Sequence, residues 1–96
     1  MLETIQHLAK KEPKTPQEMG LKLCEEAGEV AQAILSYTKT SGNQYKELSS
    51  EDVKEECIDT ILVAASLYFK MPDSSKEELM TILETKMGKW ERYMEK

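Results

Sequence analysis

Two groups of carboxylates are the part of this 96-residue sequence that could do chemistry. One is Glu25-Glu26-Ala27-Gly28-Glu29, the other Glu55-Glu56-Cys57-Ile58-Asp59. Both stretches read as helical, and side chains three or four apart share a helical face. Glu26 therefore projects with Glu29, and Glu56 with Asp59. Like charges at that spacing cost about 0.2–0.5 kcal/mol per pair in an isolated helix, so two such pairs need a reason. At about 100° per residue, Glu26 and Glu29 flank the apolar stripe of Leu23, Val30 and Ile34, and Glu25 turns toward solvent. Asp59 falls inside an apolar run, where a carboxylate without a partner costs several kcal/mol or takes up a proton. No Lys or Arg follows it within a turn. A hard divalent cation ringed by carboxylate oxygens removes the repulsion and the burial cost together. The plainer account is two solvated acidic faces, and the embedding of the second pair weighs against it. An all-oxygen donor set suits Mg2+, with Mn2+ as an alternative, better than zinc. A di-iron site built from Glu-x-x-His pairs is disfavoured, because the sole histidine, His7, stands in no such motif.

The elements that must carry these side chains are marked by caps and breakers. Leu2, Ile5, Leu8 and Ala9 recur at helical spacing and predict a first helix over about Leu2–Lys11, stopped before Pro13. Thr15-Pro16-Gln17-Glu18 has an N-cap, a proline at the first helical position and the Glu of a capping box. Met19, Leu23, Ala27, Val30, Ile34 and Tyr37 then carry a second helix to about Thr38. Thr40-Ser41-Gly42-Asn43 is a turn-rich loop that reads as the most mobile part of the chain. Ser49 or Ser50, with Asp52, caps a third helix. Cys57–Phe69 holds only Asp59, Thr60 and Ser66 as polar residues, a pattern that predicts a helix buried all round. Met71-Pro72-Asp73 stops it. Ser74-Ser75 with Glu77 and Glu78 starts a fourth helix, about Lys76–Tyr93, with Leu79, Ile82, Leu83, Met87 and Trp90 on one face. Short connections favour antiparallel neighbours, and the expected fold is an all-α, four-helix bundle-like single domain over residues 1–96.

Composition narrows the functional classes. The net charge of −5 repels polyanions, which excludes wholesale binding to duplex nucleic acid. No apolar stretch is long enough to span a membrane, and Met1–Lys11 has no signal-peptide pattern, so a cytoplasmic location is expected. Cys24 and Cys57 lack metal-type spacing and are expected reduced. A chain of this length buries only about 60–65% of its unfolded surface, a limit that a second copy would relieve.

The two motifs together, Glu25-Glu26-x-x-Glu29 and, after 26 intervening residues, Glu56-x-x-Asp59, resemble the signature of the all-α nucleoside triphosphate pyrophosphohydrolases of the MazG type. The segments LCEEAGEVAQAI and EECIDTILVAASL look like that family's two core helices, and the resemblance covers about Thr15–Arg92. It implies a Mg2+-dependent enzyme that cleaves a (deoxy)nucleoside triphosphate into the monophosphate and pyrophosphate, for nucleotide-pool housecleaning. It implies Glu26, Glu29, Glu56 and Asp59 as metal ligands, with Glu25 and Glu26 catalytic. Glu25 would bind a further metal or position the attacking water. It also implies a homodimer or homotetramer with nucleotide sites between packed helices.

Phosphate contacts require basic residues near the carboxylates. Lys86, Lys89 and Arg92 recur every three residues on the fourth helix; they serve either as phosphate ligands or as a solvated basic end that complements the helix dipole. Lys54 and Lys46 are weaker candidates. His7, Tyr37 and Trp90 could wall a base, although each is equally at home in a core or rim, and no base-reading residue is identified. The rival class is a non-catalytic, metal- or nucleotide-binding helical interaction module.

Overall fold

The computed structural model describes residues 1–38 and 48–95. Among the described residues four helices follow one another: α1 (Leu2–Lys11), α2 (Pro16–Tyr37), α3 (Ser50–Lys70) and α4 (Lys76–Met94). All four lie where caps and periodicity place them. Thr40-Ser41-Gly42-Asn43 and Lys46 lie outside the described residues. No described helix is long and apolar enough to cross a membrane.

The helix starts are built from local chemistry. The Thr15 hydroxyl accepts from the Glu18 N–H at 3.1 Å, and the Glu18 carboxylate accepts from the Thr15 N–H at 2.8 Å. Ser49 and Asp52 repeat the arrangement at the start of α3, with Asp52 accepting from the Ser49 N–H at 2.8 Å. Each reciprocal pair satisfies backbone donors that a helix start otherwise leaves open. Ser75 caps α4 through the Glu78 N–H at 3.0 Å.

α2 packs along α3, and α1 packs on α3. Ser36, near the end of α2, is fully buried and accepts from the Leu48 N–H just before α3 at 3.2 Å. At the opposite end, Met19 shares a crevice with Leu62, Val63 and Ser66 of α3. The start of α2 therefore meets the second half of α3, and the two helices run antiparallel, as their short separation in sequence predicts. Lys70 secures α1 by donating to the Glu12 carbonyl at 2.7 Å.

One expectation needs correcting. α3 is not buried all round: Phe69 is its one buried residue, while Ile58, Ile61 and Leu62 face outward. Apolar residues on more than one side of α3 are therefore left exposed. The four helices form the expected all-α, bundle-like arrangement, with α4 its least buried member. α4 packs on α1 and buries none of its own residues, reaching α3 through the Tyr68 hydroxyl, which donates to the Glu78 carboxylate and the Ser75 carbonyl. The corner before α4 contains Asp73 at φ 61°, a left-handed conformation that Asp tolerates better than most residues. Burial and its bond to Glu78 push the Tyr68 hydroxyl up to about 12. The hydrophobic core of the described residues is correspondingly small: Ala9, Met19, Ala33 and Phe69.

Candidate metal centre

Antiparallel packing of α2 on α3 brings the two carboxylate motifs face to face. Carboxylate oxygens of Glu26, Glu56 and Asp59 lie within 4.8 Å of one another, as do those of Glu25, Glu26 and Glu29. Glu26 belongs to both sets and stands at the centre. It is the buried member, at 6% exposure, whereas Glu25, Glu29 and Asp59 are exposed and Glu56 is half-buried. The burial expected at Asp59 is thus found at Glu26. The apolar run around Asp59 does not enclose it, because Ile58, Ile61 and Leu62 beside it are themselves uncovered.

The electrostatics are those of a site short of positive charge. One oxygen of Glu26 takes an ion pair from Lys22 at 3.1 Å, and Lys22 also reaches Glu25 at 3.5 Å. The second oxygen of Glu26 and one oxygen of Glu56 are buried and have no hydrogen-bond partner. An unpartnered buried carboxylate oxygen is among the costlier features a protein can hold, since its desolvation is uncompensated. Crowding shows in Glu29, whose carboxyl is raised from the ordinary range by hydrogen bonding to the Glu56 carboxyl beside it, then by the charge of Glu26. Lys22 is raised in turn, chiefly by its hydrogen bond to Glu26. Sequence reading looked for a counter-charge near Asp59 and passed over Lys22. Its spacing of three and four residues to Glu25 and Glu26 was the available signal.

These residues fit a divalent ion. Two trios sharing Glu26 each gather three carboxylate oxygens within 4.8 Å of one another, the donor type that hard divalent cations favour. The two orphaned oxygens, one from each helix, are the donors such an ion would satisfy.

The other candidates are not gathered at this centre. Lys86, Lys89 and Arg92 lie exposed on α4, which does not pack against α2, and they take part in none of the ion pairs among the described residues. Lys54 is closer and lines a shallow hollow of about 320 Å³ with Glu55, Ile58 and Asp59. His7 on α1, Tyr37 at the end of α2 and Trp90 on α4 are all exposed, on three different helices. Cys24 and Cys57 are free thiols, as expected. Compared with protein-family models, with curated proteins and with solved structures, the chain finds no match.

Proposed function

We propose that this chain is a Mg2+-dependent nucleoside triphosphate pyrophosphohydrolase of the MazG type. The observation that carries the reading is the convergence of four motif carboxylates from two packed helices, with one orphaned buried oxygen on each helix. The resemblance of the two motifs to the MazG type supplies the reaction class, and the charge deficit supplies the reason for a metal. Glu26, Glu29, Glu56 and Asp59 would hold the ion, and Mn2+ would suit the same oxygen set. A bound ion supplies neutralisation of phosphate charge and a more acidic water. Glu25, exposed at the edge of the cluster, accepts the proton of the attacking water. Water oxygen bonds to the α-phosphorus, the bridge to the β-phosphate breaks, and pyrophosphate leaves with the electron pair. Lys22, paired with Glu26 at 3.1 Å, is the basic side chain of this cluster and would be the one to meet a phosphate oxygen.

In this reading Lys86, Lys89 and Arg92 reach phosphate only from another copy of the chain, so the enzyme is a homodimer or homotetramer. Their distance from the carboxylates also motivates a second reading, a metal- or nucleotide-binding helical module without turnover. Pyrophosphate release from a panel of canonical and modified (deoxy)nucleoside triphosphates separates the two. Release with Mg2+ that is lost with chelator or in Glu56→Gln is the expected result. Absence of release from every nucleotide, with the fold intact, would sink the enzymatic reading. Metal binding is checked separately by thermal unfolding. At Mg2+ a hundredfold above its Kd the native state should gain about 2.7 kcal/mol, a gain that Glu26→Gln reduces.

A further inference from the structure

Lys22 stands inside the carboxylate cluster, one helical turn before its central residue. Five carboxylates gather there, from Glu25, Glu26, Glu29, Glu56 and Asp59. Among the described residues Lys22 is the one basic side chain in ion-pair contact with any of them. Its ammonium lies 3.1 Å from one oxygen of Glu26 and 3.5 Å from Glu25. The two partners differ in burial, the Glu26 side chain being 8% exposed and that of Glu25 60%. The ammonium thus bridges the buried centre of the cluster and its wet edge.

Helix stability does not account for the pair, because a glutamate four residues before a lysine supports a helix better than the reverse order found here. Nor does Lys22 satisfy its partner, since the other oxygen of Glu26 is buried and has no hydrogen-bond partner. Glu26 is the ligand common to both carboxylate trios, so an ion seated on either one meets the charge of Lys22. A unit charge about 6 Å from a divalent ion opposes it by roughly a factor of ten in affinity, even in the dielectric of bulk water. The four-carbon stem is flexible and the side chain 37% exposed, which lets the ammonium leave Glu26 while staying on Glu25.

We propose that Lys22 competes with a divalent ion for Glu26: it is a built-in counter-ion that sets the metal affinity of the site below what its carboxylates alone would give, and it moves onto Glu25 as the ion binds. Ligand charge count tunes the affinity of oxygen sites, and Lys22 cancels one charge of the set. This role rests on the metal reading of the carboxylates and adds to it a control on how tightly the ion is held.

Mn2+ titration of the full chain without nucleotide, with the free aqua ion followed by electron paramagnetic resonance, tests it. Lys22→Met should bind Mn2+ on the order of tenfold more tightly than the native chain. It should also unfold at a lower temperature when no ion is added, because both oxygens of Glu26 then lack a partner. Lys22→Arg keeps the charge and should bind as the native chain does. Lys22→Gln removes the charge but leaves an amide to donate to Glu26, so it should fold even where Lys22→Met does not, and it too should bind more tightly. A lysine that merely braces the cluster predicts the opposite sign, weaker binding once it is removed. Equal or weaker binding in the uncharged variants, beside a native chain that binds, overturns the role of Lys22 and leaves the metal centre standing. Absence of binding by all four forms overturns both.

Discussion

α2 and α4 are helices of similar length, each opened by a hydroxyl cap and each carrying an apolar stripe, yet they fare differently. α2 buries Met19, Glu26, Ala33 and Ser36 against its neighbours, and α4 buries nothing. The contrast shows that an amphipathic stripe specifies that a face be covered without specifying which element covers it. It also separates two kinds of unmet demand. On α2 the demand is electrostatic and concentrated in one carboxylate; on α4 it is apolar and spread from Leu79 to Trp90.

Substitutions can break that comparison. Phe69→Ala, in the core shared by α1–α3, should cost about 3–5 kcal/mol in denaturant unfolding. Trp90→Ala should cost less than about 0.5 kcal/mol where the chain is a single copy, and more as concentration rises. Equal costs for the two at every concentration would mean that α4 is as deeply packed as the core. Ser49→Ala comes next, with an expected loss of about 1 kcal/mol and fraying that begins at the start of α3. If Ser49→Ala leaves unfolding unchanged, the reciprocal pair with Asp52 contributes nothing in solution.

The smallest effect concerns the tie between α4 and α1. Lys76 donates to Glu3 at 2.7 Å, and that bond holds the Glu3 carboxyl at about 2, below its ordinary 4.5. A depressed folded-state pKa stabilises above the unfolded value and ceases to as pH falls through the folded one. The tie is therefore fully present above about pH 4.5 and lost by about pH 2. Both partners are solvent-exposed, so salt screens the effect. Across that window the native chain should lose slightly more stability than Glu3→Gln. Parallel acid-unfolding curves would remove this bond from the account of how α4 is held.

What was legible in the sequence was whatever depends on near neighbours. Thr15 and Glu18, Ser49 and Asp52, and the stops before Pro13 and at Met71-Pro72 act within a few residues, and the helix limits follow from them. The pairing of Glu26 with Glu29 and of Glu56 with Asp59 was legible for the same reason. Which of these carboxylates is buried was not, because burial is decided by the neighbouring helix. Glu26 faces α3, while Asp59 stands among apolar residues that nothing covers. The position of α4 was illegible on similar grounds: a short connection from α3 fixes where α4 begins, and does not oblige it to lie back along the helix it left.

The Ser36–Leu48 bond has a consequence for how this scaffold could be altered. A fully buried hydroxyl joins the two ends of the span between α2 and α3, so the register of the carboxylate helices is set at the root of that connection. A change at Ser36 is accordingly a change in how the paired glutamates are aligned, although the serine belongs to neither motif.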